Sequence, residues 1–319
     1  MSMGGRFAVL GIALLIAGTT TACVPTGGGG GGGGSANPPV ISGCQIMPSD
    51  NAWNEKVDTL PVLSNSAALV ANISSTNHTN LHADFGGDGA YGIPYMVVPS
   101  NEPKVPINYT AYGDESDPGP FPIPSNAPVE GGSSSDGDRH VIVLQQGSCH
   151  DYELYNAFWE GDHWNADAGV NWNLASDALR PLGYTSADAA GLPILPGLAK
   201  YDEVASGVIT HALRFTVPET QKGYIFPATH YASSSTNANL PPMGLRLRLK
   251  ASFDLSKYHG EALVILQALK VYGMIVADNG SSWFISGAVD TRWNDTDLNQ
   301  LKTVPGSAFE AVNTGTIHH

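Results

Sequence analysis

Cysteine is scarce in this 319-residue chain, which has only Cys23, Cys44 and Cys149. Nothing among them resembles a zinc site, which would need closely spaced Cys or His pairs. Charge is scarce as well: 14% of the residues are charged, with 15 basic against 29 acidic and a net charge of −14. Phosphate binding needs a basic surface, so nucleic acid and anionic membranes are excluded as partners on this balance. An acidic ligand is not excluded by charge alone. The chain has no G-x-S-x-G elbow, no P-loop and no H-E-x-x-H, so serine-elbow, nucleotide and zincin chemistry find no support. No metal and no cofactor are expected, and no internal repeat is visible.

Glycine and proline are plentiful instead, at 37 and 22 residues. At the N-terminus, Arg6 precedes the apolar run FAVLGIALLIAG (7–18) and then TTTAC. That run is too short to span a bilayer, so residues 1–22 read as a cleaved export signal. The small residues before Cys23 look like a lipobox, in which that cysteine becomes a lipidated N-terminus. Thr20 departs from the leucine usual there, which leaves plain cleavage near Ala22 open. Residues 23–43, with eight glycines from Gly27 to Gly34, read as a flexible tether. The expected location is a cell-surface or periplasmic lipoprotein, otherwise a secreted protein, touching membrane only through the lipid anchor. Lipidation of Cys23 leaves one pair, and in an oxidising compartment Cys44–Cys149 is the only intramolecular disulfide available. Two free buried thiols are the alternative. Sequons at Asn72, Asn77, Asn108, Asn279 and Asn294 read as compositional accidents in such a protein.

Residues 44–313 are expected to form a single β-rich domain, with 314–319 a tail. Short strand-like runs recur: YGIPYMVVP (91–99), KVPINYT (104–110), RHVIVLQQ (139–146), DYELYNAFWE (151–160), ITHALRFTV (209–217), GYIFPATHY (223–231) and LRLRLKA (245–251). GSCH between two of them suggests a hairpin with Cys149 at its turn. A short helix is expected near Ser66–Ile73, a capped helical turn at Thr185–Ala190 and an amphipathic helix at Asp295–Lys302. The strongest helical signal is HGEALVILQALKVYGM (259–274), so apolar around its circumference that it should pack against a sheet. The fold class indicated is mainly β, a β-sandwich or jelly-roll-like domain with one buried helix.

Chemistry concentrates in a few places. YGDESDPGPFPIP (112–124) alternates prolines with Gly119, Phe121 and Ile123, giving a stiff strut with Asp114, Glu115 and Asp117 at its mouth. Carboxylates held at a fixed separation suit acid/base catalysis; solvated surface charge and a calcium site are the competing readings, although the spacing is not that of an EF-hand. In GLRLRLKA, Arg246, Arg248 and Lys250 share one strand face, which Asp202–Glu203 or an anionic substrate such as a uronate would neutralise. His211 and His230 lie in strand-like runs and, if those strands pair in order, converge with Arg248. Phe158, Trp159, Trp164 and Trp172 form an aromatic set; Trp159 reads as core and Trp164 as the exposed sugar-stacking candidate. Asp278 follows the buried helix at the tight turn Asn279-Gly280 and reads equally as turn former or site residue.

YGDESDPGPFPIP, GDRHVIVL, YTSADAAGLPILPGLAKYDEV, HALRFTV, PPMGLRLRLKA and ALKVYGMIVADNGSSW together resemble a family of exported bacterial proteins of unassigned activity. The resemblance implies that 44–313 is one unit and carries over no catalytic residue. The expected function is an exported carbohydrate-active enzyme, glycoside hydrolase-like, cleaving polysaccharide. Candidate acid/base residues are Asp114, Asp117, Glu130, Asp202, Glu203 and Asp278; His211, His230, Arg246, Arg248 and Trp164 would bind substrate. The alternatives are a non-catalytic glycan- or protein-binding lipoprotein and a polysaccharide lyase. An enzyme should gather at least two of these polar groups in one cleft with shifted pKa values, whereas a binding module should scatter them around an exposed aromatic platform.

Overall fold

The computed structural model describes residues 37–75 and 78–319; the stretch read as an export signal, Cys23 and the glycine run lie outside them, as does Asn77. Among these described residues, fifteen short strands and four α-helices follow in order. The first stretch holds β1 (Val40–Ile41), β2 (Cys44–Gln45), α1 (Ser66–Ile73), β3 (His82–Asp84), β4 (Tyr95–Val98) and β5 (Ile107–Tyr109). Next come β6 (Val141–Gln145), β7 (His150–Tyr155), β8 (Phe158–Trp159), β9 (Trp164–Ala166), β10 (Ala168–Asn173), α2 (Tyr201–Ala205) and β11 (Leu213–Val217). The last stretch contributes β12 (Arg246–Leu249), α3 (Gly260–Val271), β13 (Met274–Asn279), β14 (Phe284–Ser286), α4 (Asp295–Leu298) and β15 (Phe309–Ala311). Among the described residues no helix is long and apolar enough to cross a membrane.

The fold is mainly β and sandwich-like. A four-stranded sheet has the order β10-β7-β6-β4, a six-stranded sheet β15-β12-β13-β11-β14-β3, and a three-stranded one β5-β9-β8. Strand β6, Val-Ile-Val-Leu-Gln, is buried throughout because both of its faces are covered. Ile142 and Leu144 enter the main core, while Val141 and Val143 join a smaller core with Leu154, Phe121, Ile123 and Trp164. The proline strut thus packs by Phe121 and Ile123, as its alternation predicts. Trp164 is the correction: it is 1% exposed and donates Nε1–H to the Ile123 carbonyl, which suits a core tryptophan rather than a sugar platform.

The helix predicted from 259–274 forms as α3 and packs along β12, and α1 packs along β15. Two other expectations fail. Thr185–Ala190 is an irregular loop, and Gly223–Tyr231 makes only isolated bridges at Tyr224. Side-chain-to-backbone bonds of Thr185, Ser186 and Asp188 compete with a helix in the first stretch, and Pro227 with the side-chain bonds of Thr229 and His230 breaks a ladder in the second.

Cys44 and Cys149 are joined, with Cα atoms 5.3 Å apart across a sequence separation of 105 residues. Closing so long a loop restricts the unfolded chain. The double variant Cys44→Ala/Cys149→Ala is expected to lose roughly 2–4 kcal/mol of unfolding free energy; equal denaturation midpoints for the two proteins would contradict this.

Candidate functional site

The six-stranded sheet has one apolar and one polar face. Leu247, Met274 and Leu213 line up in register on the apolar side, and Val276, Phe215 and Ile285 form the next row. Arg246 aligns with Ile275 and Arg214 on the other, and Ser286 with Asp84 beyond them. Strict alternation would send Asp278 to the apolar side with Val276. The register between β11 and β13 shifts at Phe215/Thr216, so that Val276 pairs with Phe215 but Asp278 pairs with Thr216. This bulge turns Asp278 over onto the face of Arg214, which is how bulges commonly re-aim a functional side chain. Buried there, the Arg214 guanidinium donates to Ser286 Oγ at 2.9 Å and approaches Asp188 Oδ2 at 3.4 Å and Asp278 Oδ2 at 3.9 Å. Its Nε has no hydrogen-bond partner.

Asp188 reaches this point from the loop TSADAAGLP. Its Oδ1 accepts the Ala190 amide at 2.8 Å, and its own amide donates to Ser186 Oγ. The Ala190 amide also lies 3.1 Å from the carbonyl of Ala277, the residue bulged out of β13. Gly191 completes the turn at φ +72, where a Cβ would meet Thr229 Oγ1 at 2.3 Å, so only glycine fits. The start of the loop is held from outside: Glu115 accepts the Thr185 amide at 2.7 Å, and Asp117 accepts Arg180 and the Asn171 amide. The acidic proline segment therefore braces the Asp188 loop.

Arg214, Ser286 and Asp278 line a cleft of ≈ 190 Å³ together with Glu130, Asp138, His140 and Asp84, while Asp188 lies behind Arg214 and lines only the neighbouring depression. A second depression of ≈ 290 Å³ adjoins it, sharing Asp138, Asp278 and Asn279 and adding Tyr112, Tyr155 and His230. Burial raises the carboxyls of Asp278 and Asp188 above the ordinary range, against the opposing pull of Arg214. Asp278 keeps a quarter of its side chain exposed (25%), whereas Asp188 is wholly buried. Glu130 goes the other way. Burial resists its charge, but His140 Nδ1 at 2.6 Å outweighs this and lowers it, and the same bond raises His140. The Nε2 of His140 meets the Ala187 carbonyl at 2.9 Å. With acceptors on both nitrogens the ring is an imidazolium. Glu130, Asp138 and His140 offer donor atoms within 4.8 Å of one another, close enough for a metal ion. Both His140 nitrogens already donate, however, so that ring has no lone pair left for a cation.

The sign of the pH effect follows. The raised His140 contributes stability that is full below its ordinary value of 6.5 and lost as pH rises through the higher folded value. The lowered Glu130 contributes stability that is full above 4.5 and lost as pH falls through its folded value. The difference in denaturation midpoint between wild type and Glu130→Gln should therefore be largest between about 4.5 and 6.5 and shrink on either side, on top of the fall with rising pH that the raised Asp188 and Asp278 impose on both proteins. An unchanged profile in Glu130→Gln would contradict the pairing.

Of the residues singled out from sequence, Glu130, Asp278 and His230 come together along these two depressions. His230 Nδ1 donates to the Ala189 carbonyl at 2.7 Å, which leaves Nε2 as the acceptor when the ring is neutral. The remainder lie elsewhere. Asp114 is exposed on a 3-10 turn, and Asp202 pairs with Arg292 at 2.8 Å on the surface. Glu203 is enclosed by Lys200 and His211, which hold it down to about 2 despite its burial. His211 is thereby a structural residue. The basic strand is neutralised mainly by carbonyls rather than by Asp202–Glu203: Arg246 donates to Tyr272, Ala52 and Glu55, and Arg248 to Val57 and Leu60 as well as the Glu310 carboxylate.

No protein-family model, curated protein or solved structure matches this chain.

Asp188, Arg214 and His140 are the site residues that sequence reasoning missed. The only signal for Arg214 was its position opposite His211 in the alternation of ITHALRFTV. For Asp188 it was a carboxylate amid small residues in TSADAAG, a context that leaves room for neighbouring backbone.

Proposed function

We propose that the protein is an exported carbohydrate-active enzyme that hydrolyses a neutral polysaccharide by carboxylate acid/base chemistry. The observation that carries this reading is the convergence of Asp278 and Glu130 on one cleft, with their carboxyls displaced in opposite directions and Asp188 buried against the same Arg214. A pair separated in this way suits one group that keeps its proton and one that gives it up. Asp278, partly open to the cleft, is the proton donor to the glycosidic oxygen as the C–O bond breaks. Glu130 stays ionised; His140 holds its Oε2, and its Oε1 carries no hydrogen bond among the described residues. That free oxygen takes the proton from the water whose oxygen forms the new bond to the sugar. Arg214 and Asp188 are positioning residues that fix and tune Asp278.

Charge supports a neutral substrate. Five carboxyl groups (Asp84, Glu130, Asp138, Asp188 and Asp278) surround Arg214 and His140 at the two depressions, and even with Asp278 protonated the acidic groups outnumber these two cations, a poor setting for polyuronate. The lyase alternative loses support for the same reason, because Arg246, Arg248 and His211 are engaged away from the cleft. The test is product release from neutral and uronic-acid polysaccharides, with reducing ends and absorbance of unsaturated uronates followed together. Reducing ends alone, from a neutral glycan, are expected. Unsaturated products would favour a lyase, and binding without cleavage would favour a surface glycan-binding module.

A further inference from the structure

Asp84 and Phe284 form one edge of the acidic cleft and also line a third opening, of ≈ 410 Å³. The acid cleft thus shares lining residues with each of the other two openings, which share none with one another. Tyr91 stands at the third opening and, at 64% exposed, is the most exposed large apolar side chain among the described residues. An exposed tyrosine normally lies where chance leaves it, but this one is held by a built turn. The Tyr91 amide donates to the Gly86 carbonyl, Ala90 to Gly87, and Gly89 to Gly86. The Gly87 amide is anchored in turn by Asp295 Oδ1 at 2.8 Å. Gly87 has φ +62, and a Cβ there would lie 2.7 Å from Tyr91 Cδ2, so the ring rests against bare backbone that only glycine supplies. Within the same opening His82 stacks on Phe284 with centroids 4.7 Å apart and planes 3° from parallel. Asp295, Asn299 and Lys302 complete a polar rim.

An aromatic plane set in a polar rim suits a sugar ring, whose C–H face stacks while its hydroxyls reach the rim. We propose that this opening is a further subsite for the polysaccharide chain, with Tyr91 as its stacking platform. The opposite flank of the acid cleft is also open, where Tyr112, Tyr155 and His230 line the second depression. Openings on both sides let a chain pass through, so the enzyme cuts inside polymers rather than trimming single units from an end. This inference rests on the glycan-cleaving reading above.

The test uses full-length protein and cello-, xylo- and manno-oligosaccharides from disaccharide to hexasaccharide. Asp278→Asn serves as the binding form, compared with Tyr91→Ala/Asp278→Asn and Tyr91→Trp/Asp278→Asn. Affinity of the binding form is expected to rise with chain length. Tyr91→Ala should lose about 10-fold, on the longer chains only, and Tyr91→Trp should keep the gain. Wild type should release mixed oligosaccharides early in digestion. Cleavage by wild type with equal affinity of the Tyr91→Ala form at every length overturns the subsite alone. Neither binding nor cleavage of any of these glycans by any form overturns the glycan-cleaving reading and the subsite with it.

Discussion

Asp278→Asn is expected to fold normally and to lower glycan hydrolysis by about 10²–10⁴-fold, the usual contribution of a positioned proton donor. Asparagine keeps the shape of the side chain, including an oxygen that can accept the Asn279 amide at 2.7 Å as Asp278 Oδ1 does. The contact with Arg214 Nη2, at 3.9 Å, is long, so little stability depends on it. What the amide cannot do is release a proton to a leaving oxygen. Initial rates of reducing-end release, measured beside denaturation midpoints, separate the two effects. A variant of near-wild-type rate would remove Asp278 from the chemistry, and a variant that unfolds would show the carboxyl to be structural.

Arg214→Met is expected to lose roughly 3–5 kcal/mol of stability, the usual result of stripping one partner from a buried ion pair. The methionine fills similar space but leaves the wholly buried Asp188 carboxyl with only backbone donors, and leaves Ser286 Oγ without its guanidinium. Both acids would then bind protons more tightly, because Arg214 is the main group opposing the effect of burial. Activity should fall with stability. Adding Asp188→Asn to Arg214→Met should recover part of the lost stability, since the buried group no longer has to take up a proton to stay neutral. Urea denaturation of the two single variants and the double measures this coupling. Strict additivity, or a loss below about 1 kcal/mol for Arg214→Met, would mean that the pair is not held together as described.

Much of the fold could be read from residue patterns, because those patterns act locally. The alternation of prolines with Phe121 and Ile123 fixes an extended strut whose apolar side chains must be buried. A helix as apolar as 260–271 has to be covered. Once Cys23 is set aside, the remaining cysteines have only each other. The site was less legible because it depends on register. One extra residue in β13 decides whether Asp278 faces the core or the cleft, and nothing in VADNGSSW announces that shift. The acidic proline segment drew attention by its charge density, yet Glu115 and Asp117 accept backbone amides and Arg180, a use that composition cannot distinguish from catalysis. The basic strand misled for a similar reason. Backbone carbonyls, invisible as charges in a sequence, satisfy Arg246 and most of Arg248.

The most direct test of the central claim is the pH dependence of reducing-end release from a neutral polysaccharide by the full chain. Activity should fall on the alkaline side only above the ordinary carboxylate range, as Asp278 loses its proton, and Asp278→Asn should lower it at every pH. Failure to release reducing ends at any pH, or an alkaline fall at the pKa of an ordinary exposed carboxylate, would contradict that claim.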